Sequence, residues 1–320
     1  MSIILETRDL TKTYGQFQAV KGMSLRVDQG AIYGFVGPNG AGKTTTMRIV
    51  TTLLEPTSGE AYVGGHSVRS APDEVRRLIG YMPDFFGVYD DMTVWEYLDF
   101  FAACYKVPDA QRRRLIDDLL ELVDLGHKRD VQVDTLSRGM KQRLCLARTL
   151  AHDPQVLILD EPASGLDPRA RVEIRELLVE LSRMGKTVFF STHILADVAE
   201  ICTHIGIVEG GRLVAQGSMA DMQRQLRPHR LLQIQFLAEP DILAKAQNAV
   251  FGRAGVLGVR PIDDADRPPS IEIDFGGDDA GVSALLSSLV AGGMPVLHFS
   301  ETRQELEDVF MQITNGAKPS

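Results

Sequence analysis

Apolar segments in the first two thirds of the chain alternate with segments whose apolar residues recur at helical spacing. Three apolar segments, residues 31–36, 156–159 and 187–190, are continuous enough to be strands buried on both faces. Helical spacing follows the first two, in residues 43–54 and 172–181. This alternation predicts an α/β fold built on a parallel sheet.

Two regions depart from this pattern. Residues 3–28 alternate short apolar stretches with polar turns, which predicts a small N-terminal β layer, and residues 28–30 are expected to form a hairpin turn into the next strand. From Thr93 the spacing becomes helical, and Thr93 with Glu96 has the pattern of a capping box. We therefore expect a helical insert, a subdomain of about residues 92–150.

The composition shifts near residue 228, which predicts a first domain over residues 1–227 and a second over residues 228–320. In the second domain, strand-like alternation and helical spacing follow one another in the order βαββαβ. A final helix is expected behind a capping box of Thr302 and Glu305. This order indicates a small α+β domain of the ferredoxin-like type.

Composition and charge exclude several other classes of protein. A chain of 320 residues, 44% of them hydrophobic, is long enough for two domains with ordinary cores. Its three cysteines lie far apart, so neither a disulfide framework nor a zinc cluster is expected. Because there is neither a signal peptide nor an apolar segment long enough to span a bilayer, we expect a cytosolic protein that meets a membrane only through a partner. The net charge of −9 argues against a nucleic-acid partner.

A glycine-rich segment directly follows the apolar run at residues 31–36 and leads into a helical segment, the context in which phosphate-binding loops occur. Its glycines would let successive backbone N–H groups converge on phosphate oxygens. Lys43 would supply a charge to the β- and γ-phosphates, and Thr44 a hydroxyl to Mg²⁺. The alternative is a glycine-rich connection with an exposed lysine. The residues of the segment are Gly37, Pro38, Asn39, Gly40, Ala41, Gly42, Lys43 and Thr44.

Two carboxylates, Asp160 and Glu161, end the buried run at residues 156–159. In a phosphate-loop enzyme Asp160 can hold Mg²⁺ directly or through water, and Glu161 can orient and deprotonate an attacking water. The alternative is a buried strand with an acidic exit turn.

His193 follows the next apolar strand, where parallel strands often present functional groups. Beside a nucleotide it could donate a hydrogen bond to the γ-phosphate, although such a histidine is more often a capping or packing residue.

Residues 134–143, shortly before the acidic strand, indicate a second anion-binding site. Ser137, the turn at Arg138 and Gly139, and the start of a helix would together present N–H groups to an anion. One nucleotide hardly needs two such sites in a single chain. We therefore expect the second site to serve a nucleotide that is bound to another subunit.

With this segment the sequence resembles the ATP-binding subunits of ABC transporters, whose signature Leu-Ser-Gly-Gly-Gln is matched by Leu136, Ser137 and Gly139. The resemblance covers roughly residues 4–225. It implies a P-loop ATPase fold and a head-to-tail dimer in which ATP and Mg²⁺ lie between two subunits. Closure of such a dimer pulls on a membrane permease.

The resemblance also implies residue roles. Tyr14 matches the aromatic residue that stacks on adenine, and Val20 matches the apolar residue beside it, although spacing alone would favour packing for Tyr14. The phosphate loop extends to Thr45, and Ser137 with Gly139 would close over the ATP of the partner. The remaining matches are the magnesium aspartate Asp160, the catalytic glutamate Glu161, the dimer-contact aspartate Asp167 and the switch histidine His193.

Two positions depart from the family pattern. Asp84 replaces the usual glutamine, so it keeps an oxygen that could reach Mg²⁺ but adds negative charge and loses an amide donor. In the signature, Arg138 and Met140 replace the commonest residues, and Arg138 could still face phosphate. Three aromatic residues after Asp84 resemble the surface that receives the permease, or could be the core of the helical insert: Phe85, Phe86 and Tyr89.

The sequence thus predicts an ATP-hydrolysing subunit that pairs with a second copy of itself and drives a separate permease for export, at the cytoplasmic face of the membrane. The C-terminal domain resembles one appended to ATP-binding subunits of export systems, with a role in association or regulation, or as a passive cap. One alternative is a non-transport ABC ATPase acting on ribosomes or DNA. Another is a nucleotide-dependent dimer with vestigial hydrolysis, suggested by Asp84.

Overall fold

The structure is a computed structural model that describes residues 2–85, 87, 91–219, 221–222, 230–262 and 268–302. The chain divides after Met219 into two compact units. No helix in these ranges is long and apolar enough to cross a bilayer. The three cysteines are free.

The first unit contains eleven described strands and seven described α-helices. The strands are β1 (Ile3–Tyr14), β2 (Phe17–Met23), β3 (Arg26–Asp28), β4 (Ile32–Val36), β5 (Ser58–Val63), β6 (His66–Ser67), β7 (Ile79–Met82), β8 (Val156–Asp160), β9 (Thr187–Thr192), β10 (His204–Glu209) and β11 (Arg212–Ser218). The helices are α1 (Lys43–Val50), α2 (Pro72–Leu78), α3 (Val94–Cys104), α4 (Asp109–Leu122), α5 (Arg138–Leu150), α6 (Pro168–Arg183) and α7 (Leu195–Ile201).

The six-stranded sheet has the order β11-β10-β4-β9-β8-β7, and all its neighbouring strands are parallel except the antiparallel pair β10 and β11. β4, β8 and β9 are buried along their whole length, which confirms the three buried strands predicted from the sequence. Because neighbouring parallel strands end at one edge, the residues after Val36, Asp160 and Thr192 come together.

The N-terminal β layer is a separate antiparallel sheet with the order β2-β1-β5-β6, and β3 pairs with β1. The expected hairpin at residues 28–30 is therefore wrong. That turn carries the chain from the β layer into the parallel sheet, because the apolar β4 requires burial on both faces. A shared core of buried side chains, Leu5, Met47 and Phe189 among them, joins the two sheets.

The helical insert consists of α3, α4 and α5, which pack on one another. Thr93 accepts a hydrogen bond from the backbone N–H of Glu96, and the Glu96 carboxylate accepts one from Thr93 N–H, which confirms the capping box. α1 is shorter than its apolar spacing predicts and ends at Val50 rather than near Leu54. Its last turn ends because Thr52 takes up a positive φ.

The second unit contains β12 (Arg230–Phe236), α8 (Ile242–Val250), β13 (Val256–Ile262), β14 (Ser270–Phe275), α9 (Asp279–Ala291) and β15 (Val296–Thr302). Its antiparallel sheet has the order β13-β14-β12-β15. This order confirms the ferredoxin-like βαββαβ unit. Alternate residues of β12 and β14 form its core with both helices. The final helix predicted behind Thr302 lies outside the described residues.

Candidate functional site

The phosphate loop lies between β4 and α1 and requires glycine at two places. A Cβ at Gly37 would fall well inside van der Waals contact distance of the Val208 carbonyl oxygen, so the backbone can pass only without a side chain. Gly42 is the N-cap of α1 and has a φ of 99°, a left-handed conformation that glycine adopts without strain. The loop therefore delivers its N–H groups at the positive end of α1, as phosphate binding requires.

Lys43 is buried at the first position of α1. Its Nζ donates to the carbonyl oxygens of Gly37, at 2.7 Å, and Pro38, at 3.3 Å. It also lies 3.4 Å from Oε1 of Glu161. The ammonium group is thus held over the loop, where it can meet phosphate oxygens without entering from solvent.

Glu161 is the central side chain of the site. Its Oε2 lies 2.9 Å from Nδ1 of His193, while its Oε1 faces Lys43. Glu161 has a φ of 51°, which is uncommon for a residue with a side chain and persists only where the surroundings impose it. Its backbone N–H is held by the Ser191 hydroxyl at 3.0 Å. This arrangement brings together the base, the lysine and the histidine named from the sequence.

Asp160 ends β8 and is almost completely buried. Its Oδ1 accepts a hydrogen bond of 2.6 Å from the Ser191 hydroxyl. Its Oδ2 is buried and has no hydrogen-bond partner among the described residues. A buried carboxylate oxygen without a partner is costly, so this atom is suited to a ligand that the protein itself does not supply.

The residues at this edge surround a cavity of about 370 Å³. A wider groove of about 750 Å³, between the end of α4 and α6, contains none of the predicted site residues. We therefore place the site in the smaller cavity. Its lining consists of Tyr14, Phe17, Ala19, Asn39, Gly40, Ala41, Gly42, Lys43, Thr44, Thr45, Asp84, Glu161, Ser164 and His193.

Two aromatic side chains stand at the rim of this cavity. Tyr14 and Phe17 face each other across the β1–β2 hairpin and are 46% and 64% exposed. Val20 is buried behind the loop, and its methyl group would lie 3.6 Å from a Cβ at Gly42. Tyr14 can therefore meet a base, whereas Val20 supports the loop from below. Lys12 Nζ lies 5.4 Å from the centre of the Tyr14 ring.

Asp84 follows β7 and lines the cavity with Glu161 and His193. Partial burial raises the pKa of the Asp84 carboxyl, and the negative charges of Asp160 and Glu161 raise it further. Arg138 and His193 oppose this rise in pKa. Three carboxylates therefore converge at the site, which favours a cation between them and the phosphates.

The donor set fits Mg²⁺, which prefers oxygen ligands and keeps several waters. The buried Oδ2 of Asp160 has no protein partner, and Thr44 is exposed to the cavity. Magnesium in phosphate-loop enzymes is held in this way by few protein oxygens, with phosphate oxygens and water completing the shell.

The signature segment lies outside this cavity and lines another of about 410 Å³. Ser137 is the N-cap of α5, and its Oγ accepts from the N–H of Met140 at 3.3 Å. Gly139 and Asp167 line the same cavity. The guanidinium group of Arg138 donates to the Ser164 carbonyl at 3.0 Å, so in this structure it is held by its own subunit.

Asp167 is the N-cap of α6, and its Oδ1 accepts from the Ala170 N–H at 3.0 Å. Phe85 is 88% exposed, so the interpretation of this residue as core of the helical insert is wrong. Phe86 and Tyr89 lie outside the described residues.

Sequence reasoning missed four residues of the site, Phe17, Ala19, Ser164 and Ser191. Ser191 joins Asp160 to the backbone of Glu161, but a serine within an apolar strand gave no signal of this bond. Phe17 and Ser164 line the cavity because of the hairpin register and the turn after β8. Only the position of Phe17, three residues after Tyr14, could have indicated its place in a tight hairpin.

A phosphate-loop ATPase is defined by these features together: the glycine-rich loop, Lys43, the two carboxylates at the end of β8, and the cavity that the loop lines. A family model described as ABC transporter matches residues 20–164. The bacitracin transport ATP-binding protein BcrA of Bacillus licheniformis is 35% identical over 323 residues, covering 99% of this chain and 99% of that protein. The daunorubicin/doxorubicin resistance ATP-binding protein DrrA of Streptomyces peucetius is 34% identical over 314 residues, covering 97% of this chain and 92% of that protein.

Comparison with solved structures indicates the same family as the sequence relatives do. A solved structure of an ATP-binding subunit of an ABC transporter matches with a TM-score of 0.63 and 32% identity, covering 69% of this chain and 92% of that one. The chain belongs to the family of ABC transporter ATP-binding proteins. It binds and hydrolyses ATP, with Mg²⁺ as the metal cofactor. Its place as a transporter subunit implies that its partner is a membrane permease. The expected family resemblance and fold class are confirmed.

Proposed function

We propose that the cavity at the phosphate loop is the ATPase site and that its residues act as their geometry suggests. Lys43 and the loop N–H groups hold the β- and γ-phosphates, and the ring of Tyr14 stacks on the base. Asp160 and Thr44 would hold Mg²⁺, which would offset phosphate charge, and Asp84 lines the same cavity.

The observation that carries this proposal is the placement of Glu161 between Lys43 and His193, at 3.4 Å and 2.9 Å. A carboxylate in this position can accept the proton of a water that attacks the γ-phosphate. Its partner His193 can then donate to the phosphate, where negative charge develops. Glu161 thus activates the water, and His193 stabilises the phosphate that the water attacks, so both are needed for full turnover.

Glu161→Gln tests the proposal, because the amide keeps the shape of the side chain but cannot accept a proton. We expect ATP binding to remain and phosphate release to fall about a hundredfold or more, which corresponds to about 3 kcal/mol of barrier. Glu74→Gln, on the exposed face of α2, is the matched control and should leave both unchanged. Near-normal phosphate release by Glu161→Gln would remove Glu161 from this role.

We further infer that two copies of the chain form a head-to-tail dimer around ATP. Ser137 and Gly139 line a cavity separate from Lys43, and a second helix start in the same chain supports a site for the partner's nucleotide. Because Glu161→Gln leaves ATP uncleaved, it should accumulate as a dimer in Mg-ATP and return to monomer in Mg-ADP. Light scattering after size exclusion measures this. A monomer under saturating Mg-ATP, even with the permease supplied, would contradict the dimer.

The partner expected outside the dimer is an integral membrane permease, with the chain held peripherally at the cytoplasmic face and working in export. The names of the relatives, bacitracin transport and drug resistance, support transport out of the cell over action on ribosomes or DNA. Exposed Phe85, beside the site, is a surface on which a permease could act. Co-purification with a polytopic membrane protein supports this assignment, whereas co-purification with ribosomes or DNA supports the alternative.

We propose that residues 228–320 are an accessory domain that acts in subunit association or regulation. Its own hydrophobic core and closed βαββαβ order support independent folding. A chain ending at residue 227 should keep nucleotide binding while its dimerisation or permease-stimulated turnover changes. If both are unchanged, the domain is a passive cap.

A further inference from the structure

The segment that carries His193 leads into a short helix, α7, which depends on contacts with neighbouring elements. His193 lies between β9 and α7, and its side chain is half exposed, so its position depends on how that junction is fixed. α7 has only seven residues and no side-chain cap on its first turn. A short, uncapped helix is marginal by itself, so it must be held by contacts with other elements.

Asp197 supplies such a contact from the first turn of α7. Its side chain is only 3% exposed, and Oδ1 accepts from Nη1 of Arg175 on α6 at 3.1 Å. The other end of the same guanidinium group lies 3.0 Å from Oε2 of the exposed Glu200. A buried charged pair loses more when one partner is removed than an exposed pair does. Asp197 is therefore the stronger of the two anchors between α7 and α6.

A second arginine of α6 faces the same carboxylate. Nη2 of Arg171 donates to the Leu166 carbonyl oxygen at 3.4 Å. Burial raises the pKa of Asp197, and the charges of Arg171 and Arg175 oppose that rise. In the described part of the chain, Nε of Arg171 and Oδ2 of Asp197 are both buried without a hydrogen-bond partner. A buried donor and a buried acceptor of opposite charge that do not bond directly can satisfy each other through one water.

The other end of this network is the turn before α6. Leu166 precedes Asp167, the N-cap of α6, and Ser164 of the same turn lines the ATP cavity. The Ser164 N–H is bonded to the Glu161 carbonyl at 3.0 Å. The network therefore links the segment after Glu161 to the helix after His193, while Glu161 and His193 themselves touch across the cavity.

We propose that Asp197 is a positioning residue for ATP hydrolysis, which fixes α7, and with it His193, against α6 through Arg175 and Arg171. This inference rests on the proposed role of His193. It goes beyond that role because it names what sets the histidine in place. Asp197 touches neither the nucleotide cavity nor Glu161, so it acts through His193.

Asp197→Asn tests this because it removes the charge and keeps the size of the side chain. We expect kcat to fall about tenfold while KM for ATP stays within about twofold, since the phosphate loop is untouched. Glu200→Gln removes the exposed partner of the same Arg175 and is the matched control. It should keep kcat within about twofold of wild type.

Combination with His193→Ala separates positioning from general damage to the fold. If Asp197 acts through His193, Asp197→Asn lowers kcat no further once the histidine is gone. Circular dichroism and thermal melting must first show that each variant is folded at the assay temperature. Should Asp197→Asn fail to fold, Arg175→Lys takes its place, with a smaller fall in kcat that again disappears in the His193→Ala background.

Two results would overturn the inference. If Asp197→Asn and His193→Ala multiply in the double variant, or if Asp197→Asn leaves kcat unchanged, then Asp197 does not act through the histidine. If His193→Ala itself keeps wild-type turnover, the proposed role of His193 fails instead. The single histidine variant therefore distinguishes the failure of the proposed function from the failure of the inference.

Discussion

At the scale of single residues, charge is concentrated at this site. Asp84, Asp160 and Glu161 place three carboxylates near one lysine and one histidine. Like charges held together raise the free energy of the folded protein unless a cation or a proton intervenes. The nucleotide-free protein should therefore be sensitive to any change in the charge of Asp84.

The raised pKa of Asp84 predicts that removal of its charge stabilises the folded protein at neutral pH. Because the pKa is higher in the folded protein than in the unfolded chain, the charged carboxylate opposes folding at neutral pH. As the pH falls through the folded-state pKa, Asp84 takes up a proton and the penalty disappears. Asp84→Asn should thus raise the melting temperature of the nucleotide-free, metal-free protein at pH 7.5, by on the order of 1 °C.

Differential scanning fluorimetry from pH 7.5 down to 4.5 measures this effect. The difference between Asp84→Asn and wild type should shrink on acidification. Glu176→Gln, on the exposed face of α6, is the control and should not show this trend. A lower melting temperature for Asp84→Asn than for wild type at pH 7.5 would mean instead that Asp84 is stabilised as a carboxylate.

At the scale of elements, helix starts combine structural and functional roles. Ser137 caps α5 and Asp167 caps α6, and both line the cavity that we assign to the partner's nucleotide. A cap satisfies the N–H groups that a helix start leaves free, and the same groups can meet an anion. Substitution of a cap can therefore affect stability and assembly separately.

A pair of substitutions at Ser137 separates the two roles. Ser137→Ala should lower the free energy of unfolding by about 1 kcal/mol, because alanine cannot accept the helix N–H group. Ser137→Asp keeps a cap and should keep the stability. Its negative charge would face the partner's γ-phosphate, so ATP-dependent dimerisation should be lost. Denaturant unfolding and light scattering give the two readings, and a Ser137→Asp protein that still dimerises in ATP would contradict the partner site.

At the scale of the whole molecule, the proposed dimer would make each pocket from two chains. Lys43 and Ser137 of the same chain would then serve different pockets. A mixture of a Lys43→Ala chain with a Ser137→Asp chain places both defects in one pocket and leaves the other intact. ATPase activity should therefore reappear in the mixture, although each variant alone is inactive.

The control mixes a chain carrying both substitutions with wild type. In that heterodimer each pocket has one defect, so heterodimers add no activity beyond that of the wild-type dimers present. Phosphate release at matched total protein compares the two mixtures. An inactive first mixture, with a control that keeps the full activity of its wild-type chains, would mean that Lys43 and Ser137 act in the same pocket, within one chain.

The sequence by itself determined the local features of this protein. Apolar runs predicted β4, β8 and β9, and Gly37 with Gly42 marked the loop. Thr93 and Ser137 marked the starts of α3 and α5. These features depend on a few adjacent residues, whose burial period and backbone freedom are written in the chain itself. The alternating pattern of the second unit likewise predicted its ferredoxin-like order.

Only the tertiary structure decided which distant residues meet. The sheet order placed β8 and β9 beside β4, and so brought Glu161 to Lys43 and His193. The hydroxyl of Ser191 and the buried pair at Asp197 gave no sign in the sequence, because a serine in a strand and an aspartate in a helix are common. Contacts across long separations depend on how elements pack, and that packing is settled by the whole core rather than by any one segment.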